Sequence, residues 1–273
     1  MMDDPFGLKG KTALILGAGQ GIGEATALMM AAHGCRIVCV DVEDARAQAI
    51  AERIRRTGVD ACPLVANILE DDQLERVMAE AEAAFDGLDI LVTVVGSTAF
   101  RPLLETTGEQ WDMEQRINIR YVFLAARAFA ARREQDGRGG AITVVASVSG
   151  VMAAPRHAPY GAAKAGLIHL VKSMATEWAP LGIRVNAVAP GSIITPRLPD
   201  TAEWRDQIAR SAHPMQRRGQ VEEIAGPVVF LSSPLASYVT GQMLAADGGL
   251  TIANIMAVPP RLKDARTGDH AEA

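Results

Sequence analysis

Cysteine is scarce in this 273-residue chain. Cys35, Cys39 and Cys62 are the whole complement, an odd number with no C-x-x-C pair. That excludes a disulfide framework and a thiolate zinc site, and suits a reducing compartment. Basic charge is also short. Twenty-seven Lys and Arg stand against thirty-two Asp and Glu, for a net charge of −5. A nucleic-acid partner or an anionic membrane surface is not expected of such a chain. Long apolar runs are missing too. The uncharged stretch 139–155 is interrupted by Ser147, Ser149, Gly150 and Pro155 and falls short of a membrane span. The start, Met1-Met2-Asp3-Asp4-Pro5, is acidic where a signal peptide is basic. The expected location is the cytoplasm.

What is present is apolar and ordered. Hydrophobic residues make up 49% and charged residues 22%, enough for a large core and too little charge for wholesale disorder. Short β-rich runs at 11–16, 36–40, 60–65, 88–95, 141–146, 184–189 and 243–246 alternate with helical stretches at 21–33, 43–57, 71–85, 111–134, 160–178 and 221–231. This regularity predicts an α/β fold: one Rossmann-like, doubly wound domain over 1–257, with helices on both faces of a parallel sheet. Two stretches break the pattern. Residues 192–214 carry Pro196, Pro199 and Pro214, and read either as a substrate lid or as a surface excursion. The tail 258–273 reads as a flexible extension. The basic pairs Arg132-Arg133 and Arg217-Arg218 read as solvated surface.

The first strand runs into Leu16-Gly17-Ala18-Gly19-Gln20-Gly21-Ile22-Gly23 at the start of a helix. A pyrophosphate needs backbone N–H groups at a helix N-terminus, and a Cβ would hold that backbone away. The spacing is G-x-x-x-G-x-G, with Gly19 extra. Asp41 ends the second strand, twenty-four residues beyond Gly17. A carboxylate there accepts hydrogen bonds from adenosine ribose hydroxyls and repels a 2′-phosphate. Arg46 is the nearest cation, so NAD is expected over NADP. Asp41 can also cap the helix that follows.

Ser147 closes the fifth strand, and Tyr160-Gly161-Ala162-Ala163-Lys164 opens the next helix. Tyr160 and Lys164 lie one turn apart and share a face. A phenol with a pKa near 10 is no base at neutral pH; lowering it to about 7 needs roughly 4 kcal/mol of differential stabilisation. A neighbouring ammonium and a positive nicotinamide ring are expected to supply it. Ser147 is placed to hold a substrate oxygen beside Tyr160.

Over about residues 8–252 these motifs, in this order, resemble the short-chain dehydrogenase/reductase family. The resemblance implies a seven-stranded sheet of order 3-2-1-4-5-6-7. It implies catalytic roles for Asn118, Ser147, Tyr160 and Lys164, with Asn118 helping to hold a water in a proton relay. Cofactor contacts are implied at Gly17, Gln20, Gly21, Ile22, Gly23, Asp41, Asn67, Ile68, Gly96, Pro190, Gly191, Ile193 and Thr195, besides Tyr160 and Lys164. A homotetramer built on the long middle helix and the Tyr160 helix is implied as well. Two departures stand out: Leu16 replaces the usual Thr, and Thr93-Val94-Val95-Gly96 replaces N-N-A-G. The expected activity is NAD-dependent interconversion of a secondary alcohol and a ketone. The expected pocket wall is Ser97, Met152, Ala153, Ala154, Ile193, Leu198 and Trp204, suited to an alicyclic, steroid-like or aromatic substrate. The alternatives are a 3-oxoacyl-thioester reductase and a non-catalytic NAD-sensing protein.

Overall fold

The computed structural model describes residues 4–209, 211 and 213–253. Seven strands form one sheet in the order β3-β2-β1-β4-β5-β6-β7, every pairing parallel. They are β1 (Thr12–Leu16), β2 (Arg36–Asp41), β3 (Ala61–Val65), β4 (Ile90–Thr93), β5 (Gly140–Val145), β6 (Ile183–Pro190) and β7 (Met243–Ala246). The order reverses where β1 sits between β2 and β4. A crevice opens at their carboxyl ends, the place where open α/β sheets bind ligands.

Both faces of the sheet are buried, which is why β1 reads as an unbroken apolar run. On one face α1 (Gly21–Ala32), α2 (Asp44–Arg55) and α8 (Glu222–Ser232) pack Met30, Ile50, Ile54 and Val228 against Ile15, Ile37 and Val92. On the other α3 (Asp71–Ala84), α5 (Tyr121–Asp136) and α6 (Ala158–Trp178) pack Val77, Phe129 and Leu167 against Leu14, Leu91 and Ile142.

The sequence patterns differ from this in four places. The helix expected over 111–134 is two helices, α4 (Gly108–Gln115) and α5, joined by a π turn at Arg116–Arg120. Thr107 and Gln110 form a capping box that starts α4 earlier than its apolar pattern does. The π turn has a local cause. The Asn118 amide donates at 2.9 Å to the carbonyl of Glu114, so a side chain takes the bond an α-helix would give to a backbone N–H. The fourth strand is shorter than 88–95, because the chain leaves the ladder after Thr93 to line the crevice.

The two basic pairs are not both surface. Arg133 is 1% exposed and Arg218 4% exposed, while their neighbours Arg132 and Arg217 face solvent. Helical phase turns Arg133 inward, onto both Glu82 oxygens at 2.7 and 2.9 Å and onto the Leu88 carbonyl. Asp136, three residues on, adds a local partner at 2.8 Å, but Glu82 and the Leu88 carbonyl are distant in sequence, so charge pattern alone hides the burial.

The stretch 192–214 is not without structure: α7 (Ala202–Ala209) lies within it. The expected tail, 258–273, lies outside the described residues. Among the described residues no helix is long and apolar enough to cross a membrane, and no cluster of His, Cys, Asp and Glu could hold a metal.

Candidate active site

The glycine turn between β1 and α1 is fastened to β2 by Gly17 N–H and Ala18 N–H, which donate to the Val40 carbonyl at 2.9 and 2.8 Å. Gly17 has φ of 95° and Gly21 of 62°, values that favour glycine. A Cβ on Gly23 would lie 1.8 Å from the Gly17 carbonyl oxygen, and one on Gly19 2.4 Å from Asp41 Oδ2. Without these side chains the backbone closes into a tight concave turn at the N-terminus of α1, lined by Gln20 and Ile22 besides the glycines. That cradle fits a pyrophosphate.

Asp41 ends β2 and is 7% exposed. Its Oδ2 accepts from Gly19 N–H at 3.2 Å, and its Oδ1 from Glu43 N–H at 3.0 Å. One carboxylate thus lines the crevice and also accepts from the N–H of Glu43, the residue before α2, whose first turn has no side-chain cap. The guanidinium of Arg46, five residues on, donates to the same Oδ1 through Nε at 3.0 Å and Nη2 at 2.9 Å. The spacing made Arg46 look distant; the helical turn of α2 brings it back over the strand end.

A cavity of about 700 Å³ extends from this turn along the strand ends. Of the residues expected at the site, all but Gly23 and Asn118 line it. Gly23 is packed inside the turn, and Asn118 lies behind the wall at 0% exposure. Asn67 and Ile68 close the cavity below β3, with Asn67 Oδ1 accepting from Leu69 N–H at 3.2 Å. Pro190, Gly191, Ile193 and Thr195 close it at the end of β6. The substrate-side wall differs from expectation. Ser97, Ile193 and Leu198 line the cavity; Met152, Ala153, Ala154 and Trp204 do not, and Pro196 and Arg197 do. Trp204 instead packs beneath the Arg218 guanidinium, 5.0 Å from its ring.

Ser147, Tyr160 and Lys164 line this cavity together. Gly150 permits it: a Cβ there would come within 2.8 Å of the Lys164 backbone, so the turn carrying Ser147 rests directly on α6. Lys164 is 2% exposed, its Nζ donating to the Val145 carbonyl at 3.0 Å and lying 5.6 Å from the Tyr160 ring centre. Burial pushes its pKa down to about 8. Burial raises the Tyr160 phenol; the Ser147 hydroxyl pulls it back, and the Glu114 carboxylate raises it further. The net direction at Tyr160 is upward, and the expected lowering by Lys164 is not among its causes.

Gly96 separates Lys164 from Asn118. A Cβ on it would lie 3.0 Å from Asn118 Oδ1 and 3.3 Å from Lys164 Nζ, so its missing side chain leaves a gap between the two polar groups. Asn118 is held by Ser97, whose N–H donates to Oδ1 at 3.1 Å and whose carbonyl accepts from Nδ2 at 2.7 Å.

A known family has this arrangement. The family model described as enoyl-(acyl carrier protein) reductase matches residues 17–251. The 3-oxoacyl-[acyl-carrier-protein] reductase of Thermotoga maritima is 36% identical over 90% of this chain and 99% of its own length. The chain belongs to the short-chain dehydrogenase/reductase family. Two solved structures of this fold bracket the cofactor question. A 7α-hydroxysteroid dehydrogenase complexed with NADH and 7-oxo glycochenodeoxycholic acid has a TM-score of 0.86 at 31% identity, over 91% of this chain and 97% of that one. A gluconate 5-dehydrogenase from Burkholderia cenocepacia with NADP and tartrate also has a TM-score of 0.86, at 36% identity over 93% and 100%. As an oxidoreductase of this family the chain uses a nicotinamide cofactor.

The sequence reading missed Glu114 and Tyr121, and named Arg46 only as the cation nearest Asp41. Glu114 stands one helical turn before Asn118, which is the signal that could have found it. Tyr121 gave none. Its hydroxyl donates to the Val95 carbonyl at 2.6 Å and braces the chain just beyond Thr93, where the family's asparagine is missing.

Proposed function

We propose that the protein is an NAD-dependent dehydrogenase that interconverts a secondary alcohol and a ketone, with Tyr160 carrying the proton. The observation behind this is the convergence of Ser147, Tyr160 and Lys164 in the one cavity that also holds the glycine turn and Asp41. The glycine cradle would hold the pyrophosphate, and Asp41 the adenosine ribose. Asn67 and Ile68 would flank the adenine, Gly96 and Lys164 the nicotinamide ribose, and Pro190, Gly191, Ile193 and Thr195 the nicotinamide. Bound, the oxidised nicotinamide accepts a hydride and adds positive charge beside Tyr160. Ser147 donates to the substrate oxygen and fixes its distance from the phenol. Tyr160 as phenolate takes the hydroxyl proton, and the nearby Lys164 ammonium favours that charged form. Asn118, behind Gly96, continues the proton path.

Ile193, Leu198 and the aliphatic wall around them suit an alicyclic, steroid-like or aromatic alcohol, with Arg197 at the rim. The 3-oxoacyl-thioester reading draws on the Thermotoga maritima relative and on Arg46, whose charge offsets the repulsion of a 2′-phosphate by Asp41. Residues 1–257 are proposed as a single domain, with 192–214 as its substrate lid. A homotetramer built on the middle helical segment, α4 and α5, and on α6 is in keeping with Trp111 and Met113 of α4 and Phe123 of α5, which expose 39%, 49% and 40% of their surface. The proposed location is the cytoplasm.

The test is to incubate the protein with NAD, and in parallel NADP, against a panel of alicyclic, steroid and aromatic secondary alcohols. Reduced cofactor is followed by absorbance. Turnover with NAD that Tyr160→Phe abolishes is the expected result. Tight NAD binding with no turnover on any alcohol would support the sensor instead.

A further inference from the structure

A second cavity of about 340 Å³ lies behind the main one and shares Ser97 and Ile117 with it. Glu114 is on its wall. The Glu114 carboxylate is half-buried and doubly held: Oε1 accepts from Ala99 N–H at 2.8 Å, and Oε2 from Asn118 Nδ2 at 3.2 Å. The Asn118 amide therefore stands between two spaces. On one side its Oδ1 faces the gap that Gly96 leaves toward Lys164; on the other its Nδ2 touches Glu114. Glu109 and Gln110 also line this second cavity, so its wall offers water polar partners besides Glu114.

We propose that Glu114 is the exit station of the proton path: it takes the proton released at Tyr160 and delivers it to solvent through this second cavity, apart from the mouth used by cofactor and substrate. This rests on the dehydrogenase reading above. In the oxidation the substrate C–H bond gives its electron pair and hydrogen to the nicotinamide as a hydride. The O–H bond breaks, the C=O bond forms, and the hydroxyl proton goes to Tyr160. One proton per turnover must then leave a cavity filled by cofactor and substrate. Lys164, pushed toward neutrality by burial, can give up a proton near pH 8, and water in the Gly96 gap can carry it past Asn118. The Glu114 carboxylate is the first solvent-reaching base beyond. The other charged groups near this point are His157, stacked on the Tyr160 ring at 5.1 Å, and Arg101 and Glu109 on the outer cavity wall. His157 is biased toward its neutral form by burial.

Glu114→Gln keeps one acceptor oxygen, enough for Ala99 N–H but not also for Asn118 Nδ2, and it cannot take up a proton at neutral pH; rescue by a mobile proton acceptor separates the second effect from the first. It is expected to lower kcat about tenfold in weak buffer, with an increased solvent isotope effect. Adding imidazole as a mobile proton acceptor is expected to restore the rate, and Glu114→Asp to retain most of it. A substrate-free measurement accompanies these. Ultraviolet titration of tyrosinate, with Tyr160→Phe as the reference, is expected to place Tyr160 ionisation at lower pH in Glu114→Gln than in the parent. Parental kcat, isotope effect and tyrosinate titration in Glu114→Gln would overturn the proposal while Tyr160→Phe stays inactive. So would a loss of rate that imidazole does not restore. A fully active Tyr160→Phe would instead overturn the dehydrogenase reading itself.

Discussion

Arg46 and Asp41 form a fork on one atom: Nε and Nη2 of the guanidinium both donate to Oδ1 of the carboxylate, at 3.0 and 2.9 Å. A strand-end acid that would repel a 2′-phosphate thus comes with a cation beside it. Arg46 also reaches Glu43 at 2.6 Å, so two acids share one guanidinium and the site remains net negative.

That pairing sets the first prediction. Arg46→Leu removes the screening charge, and NADPH affinity is expected to fall relative to NADH by about tenfold, equivalent to about 1.4 kcal/mol. Asp41→Ser frees Arg46 and is expected to move the preference toward NADPH. Fluorescence titration of the purified protein with each reduced cofactor reads both without any substrate.

The buried Lys164 amine makes a second prediction, about stability. Its folded pKa of about 8 lies below the unfolded value near 10.4, so folding disfavours the charged form. The penalty is full below pH 8 and disappears as pH rises to the unfolded value, because over that window the unfolded chain binds more protons. Relative to Lys164→Met, which has no such titration, the parent is expected to gain roughly 3 kcal/mol between pH 8 and 10.5. Urea denaturation of both proteins across that range measures it. A flat difference would mean that the amine is not buried as described.

Gly96 yields a third. Gly96→Ala places a methyl group within 3.0 Å of Asn118 Oδ1 and 3.3 Å of Lys164 Nζ. The backbone there is unstrained, so the fold is expected to survive with a melting temperature within a few degrees of the parent. Turnover is expected to fall at least about tenfold through kcat, with KM little changed. Circular dichroism melts and steady-state kinetics separate the two effects.

Arg218 supports a fourth. It ties the segment after β6 by donating to Ser192 Oγ at 3.1 Å and to the carbonyls of Ile193, Leu198 and Pro199 at 2.5, 2.9 and 2.9 Å. Arg218→Ala strands these acceptors and is expected to destabilise the chain by about 1–3 kcal/mol. Because Ile193 and Leu198 line the cavity, KM for the alcohol is expected to rise. Limited proteolysis is expected to cut the variant between 192 and 209 sooner than the parent.

Much of this molecule is local and therefore legible in one dimension. Unbroken apolar runs such as Thr12–Leu16 can be satisfied only in a sheet covered on both faces. Glycines at 17, 21 and 23 are needed wherever a strand turns into a helix around a phosphate-sized hollow. Tyr160 and Lys164 share a face whatever the helix packs against. From these the covered parallel sheet, the glycine turn and the shared face of Tyr160 and Lys164 follow; the strand order and the joining of Ser147 to that face are what the family resemblance implied.

Long-range contact decided the rest. Arg133 and Arg218 look like surface until distant partners, Glu82 for one and the carbonyls of 193–199 for the other, are folded around them. The π turn at Asn118 depends on a side chain competing with the backbone for the Glu114 carbonyl, which no hydrophobic period encodes. The balance at Tyr160 is tertiary as well. A lysine one turn away reads as a charge that lowers the phenol, but burial weakens the lysine and raises the tyrosine together, and burial is a property of the whole fold.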